Sequence, residues 1–97
     1  MELKEKFQKL AKKWQKETAY LSSITQKGLH PAYLEIIDMG MAAVPLILRD
    51  LMQNGPNHWF YALREITGED PVVEEHAGDI QAMADDWINW GKDRGLI

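Results

Sequence analysis

Cysteine is absent from this chain, which excludes a disulfide framework and a thiolate metal site together. No apolar run approaches the length of a membrane span. The opening stretch, Met1 to Trp14, carries a charge every second or third residue, where a secretory signal needs an uninterrupted apolar core. These absences lead us to expect a cytoplasmic protein. Catalytic signatures are missing as well. No Ser stands in a Gly-x-Ser-x-Gly frame, no glycine-rich phosphate loop occurs, and no carboxylate pair sits in an evidently apolar setting suited to acid–base work. The expectation is a protein without catalysis, cofactor or metal. His30, His58 and His76 lie far apart, and none stands four residues from another, the spacing of a helical zinc site. His30 reads as a helix cap and the other two as solvated. Glu69, Asp70, Glu74, Glu75 and Asp79 crowd one stretch but lack the alternation and terminal Glu of a calcium loop. They read as an ordinary acidic loop.

What the chain does contain is apolar bulk. At 97 residues, with 45% hydrophobic residues and nine aromatic rings, it holds enough to build one core and too little for two. Residues 1–97 are therefore expected to form a single domain. Leu3, Phe7, Leu10, Trp14, Thr18 and Leu21 recur at intervals of three and four, drawing one stripe on a helix of five or six turns that ends near Ser22-Ser23 and Gly28. Pro31 suits the first position of a second helix, with Leu29 and Leu34 placed to staple its entry and Gly40 placed to end it. A third helix, from about Ala42 to Gln53 with Pro45 in its first turn, is apolar over most of its surface and is expected to be central. Asn54 to Asn57 makes a turn. A fourth helix runs from His58 to Thr67 and stops at Gly68. The loop 69–79 follows, and Asp79 caps a last helix in which Ile80, Met83, Ala84, Trp87 and Trp90 form the seam before Gly91 and Gly95 fray it.

Residues 39–71, MGMAAVPLILRDLMQNGPNHWFYALREITGEDP, resemble a bacterial HEAT-like helical repeat: a Gly, then Ala-Val-Pro opening a Leu-rich helix, a short turn, and a second helix ending in Gly. The run His30 to Tyr33 and the pair Trp59-Phe60 also resemble a family of small bacterial proteins. The repeat resemblance implies protein binding without an active site. A solenoid needs about three repeats to bury a continuous core, and only one pair is present. The implied fold is all-α: a compact bundle of about five helices with one HEAT-like pair flanked by an N-terminal and a C-terminal helix.

The net charge of −4 is unevenly spread. Residues 1–27 carry seven Lys against three Glu, while residues 28–97 carry four Lys plus Arg against twelve Asp plus Glu. Lys9, Lys12, Lys13 and Lys16 fall within two turns of the first helix and form a cationic face suited to phosphates, an anionic surface or an acidic protein. Trp59, Phe60 and Tyr61 are consecutive, so a helix cannot turn all three inward, and at least one should lie at the rim as an interface anchor. The candidate partner-binding residues are therefore Lys9, Lys12, Lys13 and Lys16, together with Trp59, Tyr61 and Arg64. The leading expectation is a small protein-interaction module: an adaptor, inhibitor or antitoxin-like partner. The alternatives are a nucleic-acid-associated protein using the lysine-rich helix, or an acidic mimic of DNA. Nucleic acid is disfavoured because the body is acidic and no polar recognition helix is visible. Phe7, Leu10, Trp14 and Leu21 follow a heptad-like seam that would serve either the chain's own core or a homodimer.

Overall fold

The computed structural model describes residues 2–20 and 24–97, at 24 and 25 the backbone alone. Six α-helices form: α1 (Leu3–Thr18), α2 (Ile24–Gly28), α3 (Pro31–Asp38), α4 (Val44–Gln53), α5 (Phe60–Thr67) and α6 (Ile80–Asp93), with 3₁₀ turns at Gly40–Ala43 and Glu74–His76. No strand occurs among the described residues. The count is six rather than five because α2 is a helix of its own. The first helix accordingly ends at Thr18; Leu21 and the Ser22-Ser23 break lie outside the described residues.

In α1 the buried line is Phe7, Ala11, Trp14 and Thr18. Leu10 is only partly buried against the core and Leu3 is exposed. The Thr18 hydroxyl, buried, donates to the Trp14 carbonyl at 2.6 Å, which satisfies the one buried polar side chain of this face. The seam that a second copy would have needed is thus occupied in part by the chain's own core.

The entry to α3 departs from the expected staple. Leu29 and Leu34 are both exposed. The His30 ring fixes the turn instead: its Nδ1 accepts the Ala32 N–H at 3.0 Å, and its Nε2 meets the Glu17 carboxylate of α1 at 2.8 Å. Gly40 takes a left-handed φ of +69°, and the turn it opens is 3₁₀, so α4 begins two residues later than the sequence pattern indicates. Pro45 lies in the first turn of α4, and Val44, Ile47, Leu48 and Leu51 are buried from that helix.

Helix α5 starts at Phe60, two residues after the expected His58, and ends where the left-handed Gly68 donates its N–H to the Arg64 carbonyl at 2.8 Å. Asp79 caps α6 by accepting the Ala82 N–H at 3.1 Å. Gly91 does not fray α6, which continues to Asp93; it is buried where α6 crosses α4. A Cβ at this position would stand 2.5 Å from Leu48 Cδ1, so the missing side chain is what permits the approach.

Helix α1 packs chiefly on α3, α3 on α5, and α4 on α6; the α4–α5 contact that a repeat pair implies is smaller than these. The centre is aromatic. Trp14 and Trp59 lie 4.5 Å apart between ring centroids, Trp14 and Tyr33 5.0 Å, and Tyr33 stacks on Trp59 at 5.6 Å. Each such ring contributes roughly 1.5–3 kcal/mol through burial, and together they join α1, α3 and the start of α5. No single helix among the described residues is long and apolar enough to cross a membrane.

Candidate binding groove

Helix α5 is short and two-sided. Phe60, Ala62 and Leu63 are buried, so Tyr61 and Arg64, three residues apart and neighbours on one face, are left on the outside with Glu65. The face they share borders the 69–79 segment and the first turns of α6. Two adjoining cavities open there. One of about 260 Å³ is lined by His58, Tyr61 and Ile80 among others. The second, of about 220 Å³, reaches Val72, Val73 and Trp87. Phe60, Arg64, Gly78 and Met83 line both, so the two are halves of one groove with Arg64 at their junction.

The Tyr61 ring stacks on Tyr33 at 6.3 Å, with the planes 15° apart, and lies over Gly28. That packing holds an exposed aromatic in one orientation. The Glu65 carboxylate beside its hydroxyl, by hydrogen bond and by charge, raises the Tyr61 pKa above the usual phenol value. His58 is half-buried; desolvation, and to a smaller extent the Lys27 charge, push its pKa below the ordinary imidazole value, so the ring is neutral near pH 7. Arg64 is exposed, and its side chain makes no hydrogen bond or ion pair among the described residues.

The opposite wall is tethered. One oxygen of Asp86, on α6, contacts His76 Nδ1 at 2.7 Å and accepts the Val73 N–H at 3.3 Å. Glu69 pairs with Arg94 at 2.9 Å, and Asp70 accepts the Val72 N–H at 3.2 Å. Left-handed glycines, Gly68 and Gly78, bound the segment. Its carboxylates are thus largely committed to the chain's own backbone and side chains. His76 is accordingly paired, not simply solvated, and the hydrogen bond its ring donates to Asp86 raises its pKa. No group of three or more His, Asp or Glu side chains suited to a metal ion converges among the described residues.

Of the residues singled out from sequence, Tyr61 and Arg64 come together in this groove. Trp59 does not belong with them. It is fully buried between Trp14 and Tyr33, and its Nε1–H donates to Asp50 at 2.8 Å. The reason is the late start of α5: Trp59 precedes the helix, with φ −89° and ψ −5°, and its ring is packed into the aromatic centre. Lys9, Lys12, Lys13 and Lys16 are all exposed on α1, opposite its buried line, and none is in an ion pair among the described residues. They form a separate surface; Lys12 lines a different cavity, of about 280 Å³, with Gln8, Gln15 and Asp50. Sequence reasoning missed His58, Phe60, Ile80, Met83 and Trp87 as groove residues. The last three lay in the seam of α6 and were indistinguishable from core by spacing, since nothing local says that α5 and the 69–79 segment leave a gap beside them.

The groove joins apolar surface to an exposed Arg64 side chain that has no ion pair among the described residues. Comparison of the chain with protein-family models, with curated proteins and with solved structures finds no match.

Proposed function

We propose that this chain is a small non-catalytic protein-interaction module, an adaptor, inhibitor or antitoxin-like partner, whose contact surface is the groove between α5 and residues 69–80. One observation carries the reading: Tyr61 and Arg64 stand one turn apart, exposed, over an apolar cavity, with the guanidinium in no ion pair among the described residues. Tyr and Arg are, with Trp, the residue types most enriched at energetic centres of interfaces, and a ring already stacked on Tyr33 loses little freedom when a partner covers it. The resemblance of residues 39–71 to a HEAT-like repeat points the same way. The test is site-specific photo-crosslinking in the source cell, with the reactive residue at position 61 or, for comparison, at position 13. Protein adducts should form at 61 and be lost with Arg64→Glu. Adducts formed only at position 13, or adducts with nucleic acid, would overturn the reading.

A second reading has its own observation, the four exposed lysines of α1, which have no ion pair among the described residues. If they bind phosphates, affinity for DNA or RNA should fall steeply with salt as counterions are released. It should vanish when Lys9, Lys12, Lys13 and Lys16 become Gln. The expected result is no such binding at physiological salt, because the rest of the chain is acidic.

A further inference from the structure

We propose that the cleft between α1 and the C-terminal half of α4 binds a small organic phosphate, a monoester whose body carries hydroxyl or amide groups. The cleft lies apart from the groove at α5 and does not depend on what that groove does. Helix α1 packs chiefly on α3. Beside its buried line, Lys4, Gln8, Lys12 and Gln15 follow one another at intervals of three and four on a face that borders α4. Arg49, Asp50, Gln53 and Asn54, from the end of α4, stand across from them. Two cavities separate these walls. The smaller, of about 90 Å³, is flanked by Lys4 and Arg49, and the larger, of about 280 Å³, by Lys12 and Gln15. Phe7, Gln8, Asp50 and Asn54 line both, so the two form one cleft. Together they reach the roughly 300–1,000 Å³ of small-molecule sites.

Charge selects the ligand class. The lining holds three cations, Lys4, Lys12 and Arg49, and one carboxylate, Asp50. Each Asp50 oxygen already accepts a hydrogen bond, from Asn54 at 2.6 Å and from the Trp59 indole at 2.8 Å. The three cations have no ion pair among the described residues. The C-terminal end of α4 adds about half a negative charge, which leaves an excess of about one and a half positive charges. A phosphate monoester brings about −1.5 to −2 at pH 7, and a single carboxylate only one.

Shape then divides the ligand between the halves. The smaller half has two cations and room for a compact group, and the Arg49 fork matches two oxygens of a phosphate. The larger half has one cation, Lys12, and amide walls at Gln8 and Gln15, over Phe7 and Ala11, which are buried. Side-chain amides both donate and accept, as a hydroxylated or amide-bearing body requires. The floor is also joined to the aromatic centre. Phe7 lies 5.6 Å from Trp59, whose indole N–H reaches Asp50, so that resonance reports an occupied cleft.

The test titrates the intact chain with three monoesters, glycerol 3-phosphate, sorbitol 6-phosphate and uridine 5′-monophosphate. Inorganic phosphate and succinate run in parallel, the latter supplying two charges without a phosphate. Binding is followed by the side-chain amide resonances of Gln8, Gln15 and Gln53 and by the Trp59 indole N–H. At least one monoester should bind about tenfold or more tightly than inorganic phosphate, and succinate more weakly than either. Arg49→Gln and Lys4→Gln, at exposed positions, should each weaken that monoester about tenfold, as expected for loss of a charged hydrogen bond. Lys13→Gln, which lines neither half, should change it less than about twofold. Affinity should fall as pH drops below about 6, where the monoester loses its second charge. The proposal fails if no monoester binds at millimolar concentration or if succinate binds as well as the best of them. It fails equally if Lys13→Gln weakens binding as much as Arg49→Gln, the mark of diffuse attraction to a cationic surface, or if the shifts fall at Tyr61 and Trp87 instead.

Discussion

The molecule has two tryptophan-rich regions, and they are built on different terms. Around Trp14, Tyr33 and Trp59 every polar handle is used. Trp14 Nε1–H donates to the Lys27 carbonyl at 2.8 Å, Trp59 Nε1–H to Asp50 at 2.8 Å, and the Tyr33 hydroxyl donates to the His58 carbonyl at 3.0 Å while accepting the Ala62 N–H at 2.9 Å. In α6, Trp87 and Trp90 pack edge to face at 5.2 Å, and neither buried indole N–H has an acceptor among the described residues. The first region is a joint whose geometry is set by directional bonds between five segments of chain. The second is held by shape, with the Arg94 guanidinium 4.5 Å over the Trp90 ring and Gly91 letting α4 close in. An unmade hydrogen bond in a buried site costs on the order of 1–3 kcal/mol, so the α6 side of the molecule, which also forms a wall of the groove, is the less determined of the two.

The largest effect expected is in the joint itself. Trp14→Ala should cost about 3–5 kcal/mol, enough against a typical domain stability of about 5–15 kcal/mol to remove or greatly lower cooperative thermal unfolding. A melt near the wild-type temperature would mean that α1 is not part of the core.

A sharper comparison pits Trp59→Phe against Trp87→Phe. Both remove the same atoms, but only the first deprives the Asp50 carboxylate of a donor, so it should cost about 1.5–3 kcal/mol more. Urea midpoints at unchanged slope would measure the difference. Equal costs would erase the distinction between the regions.

Gly91→Ala tests the shape-held side. Leu48 is fully buried and has little room to yield to a new methyl group, so overpacking should cost about 1–3 kcal/mol. A neutral or stabilising result would show α4 and α6 to be loosely fitted.

The smallest effect concerns the tether of the groove wall. The pKa of His76 is raised, chiefly by its hydrogen bond with Asp86, with the charges of Asp86, Asp79 and Glu75 adding to it against a lowering by desolvation. The folded state therefore holds this proton more tightly than the unfolded chain. The stabilisation is fully present below the ordinary imidazole value of about 6.5 and is lost as pH rises through the higher folded value. Neutral His58 works oppositely: its contribution is present above about 6.5 and is lost as pH falls through its lowered folded value. The His76 part should appear as the difference in urea stability between wild type and His76→Gln across pH 5–8, and should shrink in the Asp86→Asn background, where only the Asp79 and Glu75 charges remain to raise it.

Local chemistry was readable in the chain, and relations between distant segments were not. The helical class follows from spacing; the caps at His30 and Asp79 and the left-handed glycines Gly40 and Gly68 follow from what those residues do to their immediate neighbours. Trp59 and Tyr61 were inseparable because the choice depends on where α5 begins, and a shift of two residues turns one ring inward and leaves the other out. Leu29 and Leu34 have the spacing of a staple, but the His30–Glu17 contact that does the work spans two helices. Gly91 looked like a helix breaker because the side chain that needs its bareness, Leu48, is 43 positions away in the chain. Of the candidate site, Tyr61 and Arg64 were visible through residue type and their placement on α5, whereas the apolar lining came from a seam that spacing alone assigns to core.

The close ring contacts at the joint also have an optical consequence. Transition dipoles in Trp14 and Trp59, 4.5 Å apart and with planes inclined by 38°, are close enough to couple, as are those of Trp87 and Trp90 at 5.2 Å, and the couplet owed to the first pair is the part of the circular dichroism that Trp14→Phe removes. Since one ring rides on α1 and the other stands at the entrance to α5, that couplet is a built-in gauge of whether the first helix is seated, readable on the unlabelled protein.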